Sequence, residues 1–215
     1  MEKFFSPRGN EITKDEFILL YSEIYYYENR DLNLEQKMEQ LLYGGSLSVD
    51  DVFDILCWKT GSKNADKTVR TIKTQYQTIK ADLIEELLAG EKSHIYAPDN
   101  AEELFNKLIE IDGIGAVYAI TFLYFVSSGE WPIYDKFAHL ALLGIEGGKF
   151  PDIIKDPTLG TLAFEGYKKY IELLEDHFGD TYKEDRNIDR ALWAYGHLFN
   201  NSKRNQSRIK FADTF

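Results

Sequence analysis

Apolar residues recur at threes and fours along most of the chain. That period predicts helices over 15–28, 35–43, 49–58, 64–89, 101–111, 117–127, 135–143, 161–178 and 187–200. No segment alternates convincingly between apolar and polar positions as a half-buried strand does. The Tyr25-Tyr26-Tyr27 run favours β structure by residue type, but it lies within a helical period and is read as helix. Gly and Pro collect at Gly44-Gly45, 59–63, 90–100 and 144–160, where the helices should break. The fold class that follows is all-α, in three blocks. An N-terminal helical region covers 1–100, with a basic helix at 63–80. A middle block covers 101–150, and C-terminal helices over 151–215 pack back on the core.

Of 215 residues, 44% are apolar and 28% charged, the balance of a folded chain with one sizeable core or two small lobes. A net charge of −11 excludes a surface that is basic throughout, so any nucleic-acid contact must use a local patch. Cys57 is the single cysteine, which excludes a disulfide framework and a cluster held by four thiolates. His94, His139, His177 and His197 are nowhere at metal-ligand spacing from one another. The start "MEKFFSPRGN" is too short and too charged for a signal peptide. No apolar run approaches the ~20 residues of a membrane span, so the expected location is cytoplasmic, with no membrane partner.

The middle block carries the densest pattern. "AEELFNKLIEI" places Leu104, Phe105, Leu108 and Ile109 on one helical face, with Asn100 as the expected N-cap and Glu102 and Glu103 in the first turn. Asp112-Gly113-Ile114-Gly115 ends that helix, and "AVYAITFLYFV", apolar nearly all round, must be buried on most sides. A Gly-x-Gly hairpin opening a helix turns free backbone N–H groups outward, a nest suited to a phosphate oxygen. Gly115 is expected at positive φ, where a β-branched residue would be strained. The plain alternative is a helix-helix corner in which the glycines serve geometry alone.

"LFNKLIEIDGIGAVYAITFLYF" followed by "WPIYDKFAHLAL" resembles the helix-hairpin-helix DNA glycosylase superfamily (HhH-GPD), as a divergent member, over roughly residues 101–145. The family hairpin, L-x-G-x-G-x-x-x-A, is matched by Ile111, Gly113, Gly115 and Ala119. A Pro loop leading to an Asp is matched by Pro132, Ile133 and Asp135. The resemblance implies a two-lobed helical glycosylase-like fold with a cleft between lobes. It implies that Gly113, Ile114 and Gly115 grip the DNA backbone, and that carbonyls of Ile109, Ile111 and Ile114 hold a monovalent cation, Na+ or K+. It further implies that a damaged base flips out and that Asp135 is the catalytic carboxylate. Such an Asp stabilises the positive charge that grows on the sugar as the N-glycosidic bond breaks, and it can orient the attacking water. An Asp after a Pro loop also commonly caps the next helix, and both roles are open for Asp135.

Departures from the family pattern narrow the chemistry. Bifunctional members carry a lysine two residues after the second hairpin glycine, where this chain has Val117, so Schiff-base lyase chemistry is not expected. Lys59 and Lys136 are the remaining amines considered for that role. Asp112 stands where a hairpin Pro is common, and one cysteine leaves no iron–sulfur cluster.

Charge and aromatic placement add the remaining candidates. Residues 101–149 carry seven acidic against three basic side chains, net −4, which weakens a DNA grip there. Residues 58–80 carry six basic against Asp66 alone, net +5, and on a helix Lys59, Lys63, Lys67, Arg70 and Lys73 form a stripe able to track phosphates. Its apolar face would be Val69, Ile72, Tyr76, Ile79 and Leu83, and "SKRNQSRIK" over 202–210 adds a second basic cluster. A flipped base needs flat walls, since stacking is worth ~1–3 kcal/mol per base. Trp58, Trp131 and Tyr134 are the candidate pocket residues, whereas Trp193 reads as core. The functional expectation is a monofunctional base-excision glycosylase (a hydrolase) that binds DNA weakly. The alternative is a catalytically inactive DNA- or protein-binding module of the same fold.

Overall fold

The computed structural model describes residues 2–27, 32–44, 47–60, 81–89, 98–147 and 163–199. Among these the chain is overwhelmingly helical. In chain order the elements are β1 (Phe4–Phe5), β2 (Glu11–Ile12), α1 (Lys14–Tyr27), α2 (Leu32–Tyr43), α3 (Val49–Thr60), α4 (Ala81–Ala89), α5 (Pro98–Ile109), α6 (Ala116–Val126), α7 (Lys136–Glu146), α8 (Phe164–Phe178), α9 (Thr181–Glu184) and α10 (Arg186–Phe199). The chain divides into two compact units, one from residues 1–28, 134–161 and 165–215, the other from 29–133 with 162–164. The boundary after Ile133 falls inside the middle sequence block, so the Gly-x-Gly hairpin and Asp135 belong to different units.

The first unit is organised by α10, which packs on α1 and α7. On α1, Phe17, Tyr21, Ile24 and Tyr25 are buried at spacings of four, three and one. Phe17 and Tyr21 meet Tyr195 of α10 edge-on, with centroids 5.0 Å apart in both cases. The start of α1 is a capping box: Thr13 N–H donates to Glu16 Oε2 at 2.8 Å and Glu16 N–H donates back to Thr13 Oγ1 at 3.2 Å. Ahead of it, Phe4 pairs with Ile12 and Phe5 with Glu11 in an antiparallel ladder. This corrects the expectation of no strand. Two residues per strand are too few to register as alternation, and the ladder is held by contacts from elsewhere, including Tyr21 Oη donating to the Phe5 carbonyl at 2.9 Å. The helical reading of Tyr25-Tyr26-Tyr27 holds.

In the second unit α3 packs against α2, α4 and α6, and α5 against α6. Every residue from Ala119 to Val126 is buried, as an all-apolar helix requires. Ser48 and Asp51 form a second capping box at the start of α3. Lys37 of α2 pairs with both Asp51 and Asp54 of α3. On α5 Ala101, Leu104, Phe105 and Leu108 are buried, while Ile109 is 41% exposed and leaves the expected face. Helix α5 starts at Pro98, which places Asn100 inside the helix rather than at its cap. Proline suits that first position because its missing N–H would have no partner there. Leu83 on α4 is 38% exposed, and Ile84 and Leu88 form the buried face instead. In the first unit, helix α7 runs through Gly144 to Glu146, past the expected break. Helix α9, one turn long, was not anticipated by the periodicity.

Candidate functional site

The hairpin between α5 and α6 is a tight turn between buried anchors. Ile111 and Ile114 are buried, and Ile114 N–H donates to the Ile111 carbonyl at 3.0 Å across Asp112-Gly113. Gly113 takes φ +87°, the third position of a type II turn, which demands glycine. Gly115 is different from the expectation. Its φ is −90° and ψ 169°, an extended N-cap conformation that many residues adopt. Its carbonyl starts α6 by accepting from Tyr118 and Ala119, both at 3.0 Å, and no side chain caps the helix. A Cβ at Gly115 would meet nothing within 4 Å. The Cβ direction of Gly115 therefore opens on unoccupied space, and Val117 in the first turn of α6 is exposed. The carbonyls of Ile109, Ile111 and Ile114 are hard oxygen donors of the kind that suit Na+ or K+. That of Ile111, though it accepts from Ile114, keeps a second lone pair.

Asp135 stands at the other end of the motif. Its backbone is extended (φ −139°, ψ 138°), its Oδ1 accepts from Phe137 N–H at 2.8 Å, and its carbonyl accepts from His139 N–H at 2.9 Å. It is thus the N-cap of α7, and it is half-buried. The preceding loop is ordered by Ser127, whose hydroxyl accepts from Trp131 N–H at 3.1 Å.

The candidate aromatics separate by environment. Trp58 is buried, donates its indole N–H to the buried Glu35 at 2.7 Å and meets Phe125 edge-on at 5.9 Å, so its ring serves the core of its own unit. Trp131 is half-buried, its ring 5.5 Å from that of Phe164. Tyr134 is fully buried, with its hydroxyl 3.2 Å from His139 Nδ1 and its ring 5.0 Å from that of Tyr170. Trp193 is half-buried between Tyr25 and His197. Of the basic stripe, Lys59 lies half-buried in the last turn of α3. Lys136, the other amine weighed as a nucleophile, is exposed above the Phe137 ring. Lys63, Lys67, Arg70 and Lys73, the apolar face from Val69 to Ile79, and the tail over 202–210 lie outside the described residues.

Two residues that sequence reasoning passed over complete the surroundings of Asp135. Burial holds the His139 imidazole below its ordinary value, so it is neutral near pH 7. Tyr170 is held well above the ordinary tyrosine range, first by burial and then by the negative charges of Asp189 and Asp135. The signal for His139 was its place four residues after Asp135, one helical turn along α7. Tyr170, on α8, had no local signal.

Among the described residues no group of His, Cys, Asp and Glu is arranged to hold a metal ion, and no helix is long and apolar enough to cross a membrane. Comparison of the chain with protein-family models, curated proteins and solved structures gives no match.

Proposed function

We propose that this chain is a helix-hairpin-helix protein of the DNA glycosylase type that hydrolyses an N-glycosidic bond on a flipped, damaged base. The observation that carries the reading is the hairpin. Gly113 makes the turn, Gly115 puts no side chain at the start of α6, and in this reading the first amides of that helix take a phosphate oxygen. Lys59, Lys63, Lys67, Arg70 and Lys73 supply further phosphate contacts, and a monovalent cation at the carbonyls of Ile109, Ile111 and Ile114 strengthens the grip on the backbone. Asp135 stabilises the sugar cation as the bond from sugar to base breaks. It also orients the water whose oxygen bonds to the sugar carbon as the bond from that carbon to the base nitrogen breaks, the water's proton ending on the departing base. Val117 excludes an amine nucleophile at the hairpin, so the reaction stops at hydrolysis.

A panel of duplexes carrying different damaged bases, with intact duplex as control, tests this. Asp135→Asn is expected to lose ~10²–10³ in base release with DNA affinity retained, because the amide keeps the shape and lacks the charge. Borohydride is expected to trap no protein–DNA adduct. Full release by the Asn variant would reduce Asp135 to a helix cap. The cap bond from Phe137 favours a second reading, a binding module without chemistry, which DNA binding with no release across the panel would select.

A further inference from the structure

The start of α7 is closed into a small ring by His139. Its backbone N–H donates to the carbonyl of Asp135 at 2.9 Å, and its imidazole Nδ1 lies 3.2 Å from the hydroxyl of Tyr134, the residue just before Asp135. One residue therefore holds Asp135 by its own carbonyl and, through the neighbouring side chain, from the other side. Tyr134 has little freedom. It is fully buried, and its ring meets Tyr170 edge-on at 5.0 Å and His139 at 5.8 Å. The hydrogen bond lies within a part-buried setting, where water competes weakly for either partner.

We propose that Tyr134 and His139 are positioning residues that fix the backbone of Asp135 and so hold its carboxylate on the Phe137 amide. The proposal builds on the functional reading above, in which that carboxylate faces the sugar. A carboxylate whose backbone is not held in place would sample several rotamers. The Tyr134–His139 bond restricts the backbone on the loop side of Asp135, as the helix restricts it on the other. A preorganised charge does not have to be gathered at the moment of reaction, which is where most of its effect on rate comes from.

The test uses the full chain and two readouts, one of them independent of any activity. The first is hydrogen exchange of the Phe137 amide, which donates to Asp135 Oδ1. The second is base release measured separately from DNA affinity. Tyr134→Phe keeps the packed ring and removes one oxygen, and His139→Leu removes the ring nitrogens. His139→Asn places an amide group where Nδ1 stands. Tyr134→Phe and His139→Leu are expected to speed Phe137 exchange about tenfold, the scale of one lost hydrogen bond, relative to amides in the middle of α7. The same two variants are expected to slow base release by about as much without changing DNA affinity, and His139→Asn is expected to restore both. If His139→Leu does not fold, Tyr134→Phe and His139→Asn decide the matter. Phe137 exchange in Tyr134→Phe equal to wild type, or in His139→Asn as fast as in Tyr134→Phe, overturns the proposal. If wild type releases no base, the functional reading fails alone, and the exchange pattern still decides whether Tyr134 and His139 hold Asp135.

Discussion

Gly113 and Gly115 look alike in the sequence and do different work. Gly113 has φ +87°, a conformation that costs an L-residue ~1–2 kcal/mol. Gly113→Ala is therefore expected to lower the thermal midpoint by roughly 2–4 °C or somewhat more for a chain of this size. Gly115 is extended, and a Cβ there enters open space. Gly115→Ala is expected to leave the midpoint within a degree or so, since surface changes rarely exceed ~0.5 kcal/mol. Under the proposed function it is expected to weaken DNA binding, because the added methyl group narrows the approach of a phosphate to the first amides of α6. Thermal melts and a binding titration on the two variants separate the roles. Equal binding by Gly115→Ala and wild type would mean that the hairpin makes no close contact there. The Gly-x-Gly spacing was legible in the sequence. Which glycine takes positive φ was not, since it depends on Ile111 and Ile114 being buried on either side of the turn. The same limit applies to Trp58. Its type admits a pocket wall or a core, and the buried carboxylate of Glu35 23 residues earlier assigns it to the core.

At the scale of elements, the crossing of α7 and α10 has little tolerance. A Cβ at Gly196 would lie 1.9 Å from the carbonyl oxygen of Phe137 and 2.5 Å from its carbonyl carbon. Both atoms are backbone, so the clash cannot be relieved by a rotamer change. Gly196→Ala must push α10 away from the first turn of α7 or displace that turn. Overpacking of this kind costs ~1–3 kcal/mol and sometimes more. The displaced turn contains the Phe137 amide that holds Asp135, so under the proposed function base release is expected to fall further than in a comparably destabilised core variant such as Ile24→Ala in the same unit. Denaturant melts with parallel activity measurements provide the comparison. Equal losses in the two variants would show that the crossing serves stability alone. Periodicity found both helices, but a glycine inside a helix reads in sequence as a weak point. Its purpose appears only when the other backbone is in place. Helix ends slipped for a related reason: Gly144 is buried inside α7, so packing overrides the break that its type predicts.

At the scale of the whole molecule, the aromatic content read from the sequence becomes a charge property of the fold. The all-α class was legible because the helical period runs through most of the chain. Two lobes were among the expectations, but where the chain divides was not legible, because residues 1–28 and 165–215 join across the sequence through contacts such as Phe17 with Tyr195. The hydroxyls of Tyr21, Tyr167, Tyr170 and Tyr195 are all held above the ordinary value of 10, in each case chiefly by burial. A folded-state value above the unfolded one means that the native state keeps protons the unfolded chain has lost. The stability linked to these groups is therefore complete below about pH 10 and is lost as pH rises above it. The net charge of −11 acts in the same direction, since further ionisation adds repulsion to an acidic molecule. An alkaline titration followed at 295 nm is expected to show exposed tyrosines ionising near pH 10 and a second group ionising only with cooperative loss of helical circular dichroism. Tyr170→Phe is expected to reduce the steepness of the alkaline loss, because it removes one of the suppressed ionisations and leaves the ring that packs on Tyr134 and His139. Ionisation of all tyrosines together near pH 10, with the circular dichroism unchanged, would show that water reaches these hydroxyls and that the packing around Tyr134 and Asp135 is looser than described.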